Sequence, residues 1–343
     1  MAEAHANPDP SSDGVSRPAL QVEGLNVRFK TAQGMLHAAT DVDFSIQPGE
    51  MLALLGESGS GKSVTARAIM GLLHGPKVEV SSQILRLGDT EMSTMNAAGR
   101  AKLRGEDISL VFQDALSALN PVLSIGDQVG ELFRVHHGMS RKEAKREAVE
   151  LLRMVSIPGA ERRVDDYPHQ FSGGMRQRIL IAIGIALRPK VLIADEPTTA
   201  LDVTVQAQIL DLLDELRAQL DMAVLLITHD LGVVAKVADR VAVMYAGRIV
   251  ETAPVRDIFR EPAHPYTEAL LSSVPRISDL TELKPIPGSP PSPAAFPSGC
   301  AFHPRCARAI EPCSVERPAL RDLGEGRRAA CHVSEELLHV TER

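Results

Sequence analysis

The chain has 343 residues, of which 44% are hydrophobic, 24% charged and 3% aromatic, and its formal net charge at pH 7 is −7. The length exceeds one average domain, and the mixed charges leave no basic stripe of the kind that binds nucleic acid phosphates, so no nucleic acid partner is expected. A membrane-spanning helix is not expected either, because the central apolar run Ile179 to Leu187 has about half the length a bilayer requires and contains Gly184.

The opening MAEAHANPDPSSDGVSRP lacks the basic start and apolar run of a secretory signal, so residues 1–19 read as a polar disordered tail on a cytosolic chain. LQVEGLNVRF (20–29) and MLHAATDVDFSI (35–46) alternate like strands of a small antiparallel sheet. MLALLG (51–56) is a continuous apolar strand that ends in a glycine-rich turn, and Lys62 to Leu73 has helical periodicity. DISLVF (107–112) predicts another buried strand, and 124–187 is mostly helical, with RKEAKREAVELLRMV (141–155) reading as a solvated helix with an apolar stripe. VLIADE (191–196) and MAVLLIT (222–228) are strands around a helical 203–220, a spacing that implies a parallel sheet with right-handed crossovers. Beyond about 275, KPIPGSPPSPAAFPSG cannot be helix or central strand and reads as a linker.

Three segments carry chemistry. Gly56-Glu57-Ser58-Gly59-Ser60-Gly61-Lys62-Ser63, with Val64 behind it, matches G-x-x-x-x-G-K-[ST] between a buried strand and a helix. Such a loop wraps phosphate oxygens with backbone amides, while Lys62 reaches the β and γ phosphates and Ser63 ligates Mg²⁺. In VLIADEP, Asp195 and Glu196 emerge at the C-terminal end of a strand, where open α/β sheets bind ligands. Asp195 is expected to hold Mg²⁺, directly or through water, and Glu196 is placed to polarise an attacking water. FSGGMRQR (171–178) opens an apolar helix on a serine and two glycines, a second helix N-terminus suited to an anion.

Those segments, together with Gln113, the ALD ending at Asp202 and the THD containing His229, stand in an order and spacing that resemble ABC ATPase cassettes over roughly residues 20–275. The resemblance implies an α/β fold: an ABC-type P-loop ATPase core with an antiparallel β subdomain, a helical subdomain at about 113–187, and a small cysteine-containing C-terminal extension at 276–343. It also implies that ATP is sandwiched between two cassettes. Ser172, Gly173 and Gly174 would then contact the partner's γ phosphate, and Asp202 would lie at the dimer seam. Gln113 would sense Mg²⁺ and the transmembrane subunits, His229 would contact the γ phosphate, and Phe29 falls where the family stacks an aromatic on adenine. Phe171 and Met175 depart from the common LSGGQ signature, and Ala115 replaces a proline usual in peptide-importer ATPases.

LNPVLSIGDQV (119–129), HPYTEALLSSVP (264–275) and PSGCAFHPRC (297–306) resemble the dipeptide and oligopeptide importer branch. That branch implies a second, non-identical ATPase subunit, two transmembrane permease subunits, an extracytoplasmic solute-binding protein, and a peripheral place on the cytoplasmic face of the membrane. Nickel importers share much of this architecture. Soluble ABC ATPases of DNA repair or translation carry long coiled-coil insertions or two cassettes per chain, and neither feature occurs here.

All four cysteines fall late in the chain, and Cys300, Cys306, Cys313 and Cys331 form the pattern C-x5-C-x6-C-x17-C. In a reducing compartment such a cluster suggests metal before disulfide. Four thiolates suit one tetrahedral Zn²⁺ or a [4Fe–4S] cluster, the spacing does not choose between them, and His303 or His332 could replace a cysteine around zinc. The resemblance to peptide-importer ATPases with a GC-x-F-x-x-RC tail implies the [4Fe–4S] cluster.

Overall fold

The computed structural model describes residues 17–32, 34–199, 201–273 and 285–339. Most of the proposed N-terminal tail and the first part of the linker lie outside them.

Five strands lie parallel and make up one end of an eight-stranded sheet, in the spatial order Arg240–Tyr245, Met51–Leu55, Ala223–Thr228, Val191–Asp195 and Ile108–Val111. Their side chains are apolar on both faces, as a parallel strand covered on both sides requires. Val191 and Ile193 face one core, while Leu192 and Ala194 face another. Beyond Arg240–Tyr245 the sheet turns antiparallel through Arg248–Pro254, Arg327–Ala329 and Arg321–Gly324. The cysteine-bearing segment therefore contributes two strands to the same sheet as the glycine-rich loop.

A second, five-stranded antiparallel sheet is built on the pair Leu20–Thr31 and Gly34–Ile46, and Val78–Ser81, Ile84–Leu87 and Thr90–Glu91 complete it. It packs against one face of the central sheet through Leu20, Val22, Leu25 and Val27. The other face carries the helices Ile125–His137, Arg141–Met154 and Gly173–Ile185. Ser140 and Glu143 close a capping box at the start of Arg141–Met154, and Ala144, Ala148, Leu151 and Leu152 form its buried stripe at i, i+4, i+7 and i+8. Gly130 allows close contact there, since a Cβ on it would lie 3.3 Å from Ala144.

The helix after the loop ends earlier than its periodicity suggests, at Ile69, because Gly71 turns the chain at φ 64°. Among the described residues no helix is long and apolar enough to cross a membrane.

Candidate functional site

The parallel register brings the C-terminal ends of the strands together. Leu55 pairs with Thr228, and Asp195 with Ile227, so the segments that leave these strands meet at one edge. Gly56 to Ser63 leaves the first, Glu196 the second and His229 the third.

The helix Lys62–Ile69 starts behind Gly61 with no side chain capping it, which leaves its first-turn amides and positive dipole end for an anion. Gly61 has φ 107°, and a Cβ there would fall 2.4 Å from the Ala38 carbonyl oxygen, so only glycine fits the corner. Lys62 Nζ donates to the carbonyls of Gly56 (2.6 Å) and Glu57 (2.9 Å). Burial pulls its pKa below the usual lysine value, against the attraction of Glu196, Asp195 and Glu57.

Ser63 Oγ donates to Asp195 Oδ1 at 2.8 Å. Asp195 is 4% exposed, and burial lifts its carboxyl above the ordinary range despite that bond. Gln113 Nε2 donates to Glu196 Oε2 at 2.8 Å, which leaves the Gln113 amide oxygen available. A hydroxyl, a carboxylate and an amide oxygen make a hard oxygen donor set that fits Mg²⁺.

Glu196 is the most constrained residue of the site. Its φ of 47° is left-handed, a conformation that costs a non-glycine residue roughly 1–3 kcal/mol and persists only where surroundings impose it. Its amide donates to Ile227 O at 2.9 Å. Oε2 accepts from Gln113 and from Thr199 Oγ1 (2.9 Å), and Oε1 lies 3.1 Å from His229 Nδ1. Burial opposes ionisation, but His229, Thr199 and Lys62 outweigh it and hold the carboxyl below its ordinary value.

These groups face a cleft of about 780 Å³, lined by Phe29, Gly56 to Gly59, Gly61 to Val64, Gln113, Glu196 and His229. Ser60 and Asp195 are buried and do not line it; Asp195 lies behind Ser63, whose hydroxyl it accepts from. Ser172, Gly173, Gly174 and Asp202 do not line it either. Ser172 Oγ caps its own helix by accepting from Met175 N (3.4 Å), and Asp202 caps Val203–Leu220 by accepting from Val205 N (2.9 Å). The two helix starts pack side by side, since a Cβ on Gly174 would meet Val205 Cγ1 at 2.6 Å.

Sequence reasoning missed Thr199, which grips Glu196, and two contacts on Glu57. Tyr266 Oη accepts from the Glu57 amide at 3.0 Å, and Arg305 forks onto the Glu57 carboxylate. The threonine three residues after Glu196 was a local signal, whereas the other two come from distant segments.

Cys300, Cys306, Cys313 and Cys331 are free thiols that line one small cavity with His264, His303 and His332. Burial raises the thiol pKa of Cys300, Cys306 and Cys331, the last to about 11. Among the described residues no three His, Cys, Asp or Glu side chains form a group that could hold a metal ion. The expected ligand set is thus gathered around one cavity without forming a metal-holding group.

The ABC transporter family matches residues 39–199, and the C-terminal region of oligopeptide/dipeptide transporters matches residues 250–313. A protein of Brucella abortus (strain 2308) named for peptide import ATP binding is 51% identical over 327 residues, covering 92% of this chain and 97% of its own. A similarly named protein of Brucella ovis is 50% identical with the same coverage. Among solved structures, the ATP-binding cassette MJ0796, in a dimeric post-hydrolysis state with ADP and Pi, superposes with a TM-score of 0.60 at 28% identity, covering 69% of this chain and 99% of that one. CbiO1 of Clostridium perfringens, part of an ABC transporter complex, gives a TM-score of 0.58 at 29% identity, covering 71% of this chain and 90% of its own.

Proposed function

This chain belongs to the ABC transporter family, alongside the peptide import ATP-binding proteins, and from that premise we propose how its residues run the ATPase that powers peptide import. The observation that supports the reading is the convergence of Lys62, Ser63, Asp195, Glu196 and His229 on one edge of the parallel sheet.

The loop amides and Lys62 bind the ATP phosphates, and Phe29 stacks on the adenine. Ser63, Asp195 and Gln113 would hold Mg²⁺, which would supply neutralisation of the phosphate charge. Glu196, ionised and locked by three neighbours, orients the attacking water and takes its proton, and His229 contacts the γ phosphate. Ser172, Gly173, Gly174 and Asp202 serve the partner cassette's nucleotide, which accounts for their position off this chain's own cleft.

The partner is a second, non-identical cassette. Two permease subunits and a solute-binding protein complete the importer, which places this chain on the cytoplasmic face of the membrane. Purified with its permease and partner subunits, the chain should hydrolyse ATP faster when a peptide-loaded binding protein is added. A strictly monomeric sample, by light scattering under assay conditions, that hydrolyses as fast as the assembly contradicts the shared site.

We further propose that Cys300, Cys306, Cys313 and Cys331 hold a [4Fe–4S] cluster, with Zn²⁺ as the alternative. What supports this is donor chemistry: four free thiols lining one cavity are the sulfur ligands either group takes, although their present arrangement does not form a metal-holding group. Bound there, the group would supply folding energy to the extension and would take no part in hydrolysis.

A further inference from the structure

Glu57, the second residue of the phosphate loop, is held from three directions. Its amide donates to Tyr266 Oη (3.0 Å), and its carbonyl accepts from Ser60 N (3.2 Å) and Lys62 Nζ (2.9 Å). Its carboxylate accepts a two-pronged bond from Arg305, at 2.8 Å from one guanidinium nitrogen and 3.2 Å from the other.

Arg305 comes from the cysteine-bearing extension, immediately before Cys306, and its side chain is 6% exposed. It has little freedom. Nε donates to Pro287 O at 2.9 Å, one terminal nitrogen donates to Tyr245 Oη at 3.3 Å, and the guanidinium lies 5.9 Å and 6.0 Å from the ring centres of Tyr245 and Phe302. A planar fork held by aromatic faces and a carbonyl is a preorganised partner for one carboxylate.

The charge of Glu57 matters because the residue lines the cleft beside Lys62. An unneutralised carboxylate there would repel a triphosphate and compete for the lysine. We propose that Arg305 is a positioning residue for the nucleotide site: it neutralises and fixes the Glu57 carboxylate, so that the cysteine-bearing extension is a working part of the phosphate loop. This rests on reading the cleft as the ATP site. It extends that reading to a residue 248 positions away in the chain.

A purely structural staple and a charge-neutralising one predict different double mutants. The test is ATP affinity of the full-length chain in Mg²⁺ by titration calorimetry, for the parent, Arg305→Met, Arg305→Lys, Glu57→Gln and Arg305→Met with Glu57→Gln. Arg305→Met should weaken ATP binding about ten-fold, Glu57→Gln should change it less than about three-fold, and the double variant should return to the Glu57→Gln value. Arg305→Lys, which keeps the charge and loses the fork, should fall between Arg305→Met and the parent. In the assembled transporter kcat should stay within about two-fold of the parent for Arg305→Met while KM for ATP rises, because Arg305 touches no reacting atom. Parent-like ATP binding by Arg305→Met, or a double variant as weak as Arg305→Met, overturns the inference. If Arg305→Met does not fold, Arg305→Lys and its double with Glu57→Gln carry the same comparison. A parent chain that binds ATP no better than Lys62→Ala overturns the ATP-site reading itself, and this inference with it.

Discussion

Replacing Glu196 by glutamine should leave ATP binding intact and nearly abolish turnover. The structure explains why the two effects separate. Glutamine has the size of glutamate, and its amide oxygen can accept from Gln113 and Thr199 as Oε2 does now. Its NH₂ group can donate to His229 Nδ1, 3.1 Å from the present Oε1. Every neighbour keeps a partner, so the left-handed turn at residue 196 survives and only charge and basicity are lost. Loss of a positioned general base costs roughly 10²–10⁴ in rate, or about 3–5 kcal/mol of activation free energy. The assay is steady-state phosphate release by the assembled transporter whose partner cassette has its own hydrolytic site disabled, with ATP affinity measured in parallel. The variant should bind ATP within about three-fold of the parent, since the lost charge lies beside the phosphates and does not hold them. Hydrolysis at close to the parent rate would refute the general-base assignment. The carboxyl lies below its ordinary value, so the parent's pH–rate profile should show no acid limb from Glu196 above 4.5.

Glu251 gives a prediction on stability. It is almost fully buried, accepts from the amides of Ala263 (2.6 Å) and His264 (3.1 Å), and burial pushes its pKa up to about 7. A carboxyl raised on folding favours the folded state below its unfolded pKa, so this contribution should fade as pH climbs from 4.5 to about 7, by an amount on the order of a few kcal/mol. The check is the parent's melting temperature minus that of Glu251→Leu across this range, and a difference that stays flat would contradict it. For the cysteine cavity, anaerobic purification should yield a brown protein with iron and acid-labile sulfide. Stoichiometric zinc with no iron or sulfide would replace the cluster by Zn²⁺.

The catalytic core was legible because its signals are local. A strand, a glycine-rich loop and a helix are consecutive in 51–69, and Asp195 and Glu196 stand at the end of an unmistakable apolar run. Strand Arg240–Tyr245, by contrast, escapes the pattern, although VAVMY behind Arg240 is as buried as VLIAD. The strands at Val78–Ser81 and Ile84–Leu87 are half-buried and only four residues each, too short for a period to emerge. Contacts on Glu57 were invisible for a different reason. Tyr266 and Arg305 reach it across more than two hundred residues, and nothing in the local pattern of either segment records what a folded sheet will place opposite. The thiols illustrate a third limit. Spacing showed that four sulfurs would be neighbours, but ligand geometry depends on loops whose conformation no periodicity encodes.

The outer strands of the central sheet have a consequence for how the protein is made. Arg248–Pro254 pairs on one side with Arg240–Tyr245, its neighbour in sequence, and on the other with Arg327–Ala329. As the chain leaves the ribosome, the second side waits for the linker and three of the four cysteines to follow. During that interval the nascent sheet presents an open row of amides and carbonyls, the template on which strands of other molecules add. Synthesis closes it late: the extension that brings Arg305 to the phosphate loop also shields this edge of the nascent sheet, so truncated or prematurely terminated chains should be lost to aggregation before they are lost to inactivity.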